Sequence, residues 1–176
     1  NLNKIIRFRM YSSNRKNGIN TIIDNLYASN NNKPIDGNVC ECGKPIYKGV
    51  LISGNCMCNF KNAFNMKLTS NCMVGDHALQ AKKPGAEMSA ELKNSVDLSE
   101  MQNGYLHIRI YVNNVKNLQN NIVFGITSSG IYDVDEYEWE IYLNEISNGW
   151  NEFWLPIKNA AKTGNPNLKA INYFRM

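Results

Sequence analysis

Period-two alternation, closely spaced turn signals and a scarcity of helical periodicity predict an all-β domain of two packed sheets. Between Tyr105 and Val112, Leu106, Ile108, Ile110 and Val112 fall on one face, and Tyr105, His107, Arg109 and Tyr111 on the other. A strand with one apolar face must bury it, and where such strands are many the cover is a second sheet. The same alternation sets Trp139, Ile141 and Leu143 against Glu138, Glu140 and Tyr142. From Asn151 it turns Phe153, Leu155 and Ile157 inward, with Glu152 and Trp154 outward; Trp150 follows a turn glycine and suits packing. Further strands are predicted over 5–10, 19–27, 48–53, 64–69, 77–82, 86–92, 122–127 and 170–176, with a short helical turn around 160–163. Ser53-Gly54-Asn55, Pro84-Gly85, Ser129-Gly130 and Asn148-Gly149 supply turns between them.

Composition narrows the function classes. With 43% apolar and 19% charged residues the 176-residue chain is globular, long enough for one domain and too short for two of ordinary size. The net charge of +4 comes from 19 basic and 15 acidic residues scattered along the chain, which argues against a nucleic-acid binder. Apolar runs of only a few residues exclude a helical membrane span. The opening Asn1-Leu2-Asn3-Lys4 is no signal peptide, and the chain reads as a piece of something longer.

Its two ends repeat each other. Residues 1–10 (NLNKIIRFRM) and 167–176 (NLKAINYFRM) are identical at six of ten positions. On this pattern, residues 1–28 are the closing strands of a preceding repeat, 29–45 a linker, and 46–176 a sandwich that lacks its own last strand. The 19–27 segment would then fill that open edge, either within the chain or, as the duplicated end strands favour, in a neighbouring molecule.

Several stretches, in order, carry a resemblance: Val74-Gly75-Asp76-His77-Ala78-Leu79, Val96-Asp97-Leu98-Ser99 ahead of the 105–112 strand, Ser128-Ser129-Gly130, Asp133 to Trp139, Gly149 to Pro156, and Ile171 to Met176. Together with Ile23-Asp24-Asn25-Leu26-Tyr27 as a final strand, they resemble a carbohydrate-binding module with a galactose-binding-like jelly roll. Such modules recur in tandem in secreted proteins of gut Firmicutes. The resemblance implies a jelly-roll β-sandwich, a polysaccharide partner, a secreted or cell-surface location and one structural Ca²⁺, for which Asp24 and Asp76 are the candidates.

If the strands share a sheet, the outward set Tyr105, His107, Arg109, Tyr111, Glu140, Tyr142 and Trp154 forms a platform suited to sugars. Sugar C–H faces stack on aromatic rings, while Arg and Glu answer the hydroxyls. A solvated face held by cross-strand ion pairs is the plainer alternative. The loop at Asp133, Asp135 and Glu136 could line a second sugar site, hold a cation or simply be polar. Cys40, Cys42, Cys56 and Cys58 stand as two Cys-x-Cys pairs, with Cys72 left over, leaving disulfides, thiols or a metal open. No nucleophile elbow, phosphate loop or His-Glu-x-x-His helix occurs, so an enzyme is not expected. The alternative to a glycan binder is a surface-filament block joined head-to-tail by strand donation.

Overall fold

The computed structural model describes residues 6–8, 21–29, 50–52, 57, 60–73, 77–83 and 87–176. They form a two-sheet, all-β sandwich of thirteen strands. The strands are β1 (Ile6–Phe8), β2 (Thr21–Ser29), β3 (Val50–Ile52), β4 (Phe60–Phe64), β5 (Met66–Thr69), β6 (Ala78–Ala81), β7 (Ser89–Val96), β8 (Tyr105–Val112), β9 (Ile122–Thr127), β10 (Glu136–Ile141), β11 (Gly149–Pro156), β12 (Ala161–Thr163) and β13 (Ile171–Arg175). One sheet runs β12-β10-β9-β13-β7-β4, with β1 beside β13; the other runs β11-β8-β2-β6-β5, with β3 beside β2. The chain passes from one sheet to the other and back at β4–β5, β6–β7–β8–β9 and β10–β11–β12. Ile23, Leu106, Ile108, Ile110 and Val112 meet Phe124, Ile126, Trp139, Ile141 and Phe174 between the sheets.

The strands expected over 105–112 and 122–127 are found with those bounds, although His107 and Arg109, expected to face outward into solvent, are buried. Several strands shift by a few residues at their ends, and two elements differ in kind. The strand expected over 64–69 is two strands in different sheets, split at Asn65. Asn65 takes φ 54°, and its side chain donates to the carbonyls of Lys83 and Glu87 (3.2 and 3.1 Å) and accepts from Lys83 N (2.8 Å). Asn is among the few residues that accept this backbone region, and here it turns the chain from one sheet into the other. The helical turn expected around 160–163 is one 3₁₀ turn, Ile157–Asn159, followed by β12, which pairs antiparallel with Glu136–Glu138.

The two ends meet. β1 lies parallel to β13, with Ile6 opposite Tyr173 and Phe8 opposite Arg175, one residue out of step with the sequence alignment of the two decapeptides. β2 is held within this chain: β8 pairs along one edge, and β6 and then β3 along the other. In this structure β2 thus takes the first of the two arrangements, pairing within the chain.

Candidate functional site

The predicted platform divides between the two sides of the sandwich. β8 and β11 are neighbours, setting Trp154 opposite His107, Glu152 opposite Arg109 and Trp150 opposite Tyr111. Glu138, Glu140 and Tyr142 belong to β10 and the residue after it, and β10 pairs with β9 and β12 in the other sheet. Glu140 instead accepts a hydrogen bond from Asn121 Nδ2 at 2.9 Å, and Tyr142 starts an exposed 3₁₀ turn. The condition that these strands share a sheet fails, so the seven residues are not one surface.

What remains is covered on β8, while Glu152 on β11 stays exposed. His107 keeps 0% and Arg109 4% of its surface, and Ile22 on β2, in register with Tyr111, is buried as well. The Trp154 ring is half-buried and stacks on His107 at 3.9 Å between centroids; Trp150 meets Tyr111 edge-on at 5.5 Å. Arg109 Nε donates to Glu152, while its Nη1 is buried without a hydrogen-bond partner. Burial, with Arg109 adding to it and Glu152 opposing, pushes the His107 imidazole down to about 4, so the ring is neutral near pH 7. Tyr105 and Tyr111 are half-buried. This is a packed face rather than an open one.

The outward face of the other sheet has two parts. At one end Arg175 gathers three carboxylates: its Nε donates to Glu136 Oε1 at 2.5 Å, and its Nη2 donates to Glu138 at 2.8 Å and to Asp133. Glu136 and Arg175 are almost wholly buried, and Gly125 makes the space for them, since a Cβ there would lie 1.9 Å from Glu136 Oε1. The three acids come within reach of one another as cation ligands do, but the guanidinium already supplies the positive charge, so they do not fit a calcium ion. Asp24 stands in register with Arg109 in the opposite sheet; Asp76 and Cys40, Cys42, Cys56 and Cys58 lie outside the described residues, and Cys72 is half-buried after β5.

Towards the β4 edge a pocket of about 320 Å³ opens, lined by Asn62, Phe64, Ser89, Glu91, Gly130 and Tyr173 among others. β4 and β7 build most of it. Phe64 lies opposite Ser89, and Asn62 opposite Glu91, so all four side chains fall on the outward face while Ala63 and Ala90 turn inward. The register shifts between Phe60 and Asn62, which inserts Lys61 into the ladder. Two consecutive side chains then reach one carboxylate: Lys61 Nζ and Asn62 Nδ2 each donate to Glu91 at 2.8 Å. Phe64 stays 60% exposed on this rim.

Comparison with protein families, curated proteins and solved structures finds no match for this chain. None of the pocket residues belongs to the predicted platform. The available signal was Asn65: the apolar alternation Phe64, Met66, Leu68 reads as one buried face unless the chain turns over between its first two members.

Proposed function

We propose that this domain binds carbohydrate without catalysing its cleavage, as a module of a larger secreted or bacterial cell-surface protein, and that the pocket on β4 and β7 is where it does so. The exposed Phe64 ring beside a fixed Glu91–Asn62 pair is the observation that carries the reading. A sugar offers an apolar face and a rim of hydroxyls, and this pocket offers an aromatic ring with acceptors and donors on the same outward face. A volume near 320 Å³ lies at the small end of ligand pockets. Glu91 is the charged group among the lining residues, so neutral sugars suit it better than acidic ones. The filament reading has less support, because β2 is paired along both edges within its own chain.

The test is affinity electrophoresis of the chain through galactan, xylan, mannan and β-glucan. At least one polysaccharide is expected to retard the wild type, and Phe64→Ala to abolish the retardation while the fold is kept. A wild type that migrates freely through all four, or a Phe64→Ala variant retarded as strongly, overturns the proposal.

A further inference from the structure

The loop joining β9 to β10 borders the pocket through Gly130, and its side chains are unusual for their exposure. Ile131, Tyr132 and Val134 keep 55%, 46% and 43% of their surface in water. Such a loop is ordinarily free to fold its apolar groups away, and this one is tied at almost every residue. Gly130 N donates to Thr127 Oγ1 at 3.1 Å, and Ile131 N to Ser129 Oγ at 3.1 Å; Ser129 Oγ donates to Val134 O at 2.6 Å. Ser128 N donates to Asp135 O at 3.0 Å, Asp133 N to Glu136 Oε2 at 2.8 Å, and Asn165 N to Asp135 Oδ1 at 2.8 Å. Asp133 and Asp135 take φ 56° and 50°, and Arg175 grips the Asp133 carboxylate with its guanidinium 5.9 Å from the Tyr132 ring.

A rigid loop that presents apolar side chains has already met the ordering cost of binding. We propose that Tyr132 and Ile131 are a second subsite continuous with the pocket across Gly130, and that the ligand is a chain of several neutral sugars rather than one terminal sugar. This rests on the reading of the pocket as a carbohydrate site. Gly130, at φ 78° and without a side chain, leaves a low sill between the two. The small pocket holds the first ring, and the Tyr132 ring stacks on one that follows. Arg175 is a positioning residue: it touches no sugar and fixes the loop through Asp133.

Calorimetric titration of the intact chain tests this, with the hexasaccharide and the monosaccharide of the polysaccharide that retards the wild type. The wild type is expected to bind the hexasaccharide at least tenfold tighter than the monosaccharide. Tyr132→Ala should remove about tenfold of hexasaccharide affinity and leave the monosaccharide and the thermal midpoint unchanged. Tyr132→Phe should bind as the wild type, and Asp133→Asn should weaken the hexasaccharide alone, by about threefold. If Phe64→Ala loses both ligands while Tyr132→Ala keeps full hexasaccharide affinity, the second subsite falls and the pocket stands. If the wild type is retarded by none of the four polysaccharides, both fall.

Discussion

On the six-stranded sheet Trp154 lies against His107 and Glu152 against Arg109, and the two β8 residues are sealed from water. On the seven-stranded sheet Phe64 stands beside Ser89 and Asn62 beside Glu91, and the ring remains open. Both faces mix an aromatic with ion-pairing groups, and both are built from outward positions of ordinary strands. What separates them is the neighbourhood. His107 and Arg109 sit on β8, an interior strand flanked by β2 and β11, and Trp154 on the edge strand β11 is covered by its stack on His107. Phe64 sits on β4, an edge strand among the described residues, opposite the small Ser89. Residue type alone did not distinguish the open face from the packed one.

The largest test of this contrast strikes the buried hub of the open face. Gly125→Val would drive a side chain into Glu136 and dislodge it from Arg175. A loss of about 3 kcal/mol or more is expected in denaturant unfolding. A loss below about 1 kcal/mol would mean that the hub does not hold the face together.

Acid acts on the closed face next. His107 is depressed to about 4 in the fold and titrates near 6.5 when unfolded. Between those values the unfolded chain takes up the proton and the folded one does not, so stability falls as pH drops from 6.5 towards 4. About 2 kcal/mol should be lost over that window, and His107→Gln should lose correspondingly less than the wild type. Equal pH slopes in the two proteins would contradict the assignment.

A smaller experiment exchanges the two aromatics. Trp154→Ala should cost about 2 kcal/mol in stability, through the lost stack on His107, and leave polysaccharide retardation intact. Phe64→Ala should stay within about 0.5 kcal/mol of the wild type and lose retardation. The reverse pattern would make the closed face the binding one.

The sandwich was legible because 105–112, 138–143 and 151–157 alternate in sequence, and a one-sided strand has few ways to bury that side. Trp139, placed in the core by its phase with Ile141, is there. The platform was misread because alternation gives the side of a strand but not its neighbours. Glu140 and Arg109 both face outward, on opposite sides of the molecule. Asn65 was the second obstacle, since one residue at positive φ reverses the phase of everything before it. The Arg175 cluster joins residues about forty positions apart, and no local pattern announces it.

The central place of β2 bears on how the chain reaches its native state. Ile23 pairs with Ile110, and the six-stranded sheet has no continuous middle until these segments, separated by roughly ninety residues, find each other. Closing so long a loop costs entropy before any pairing repays it, and contacts of this range slow folding. Assembly should thus be gradual, with β5–β6 and β9–β10, whose partners lie close in sequence, forming ahead of the β2–β8 pairing.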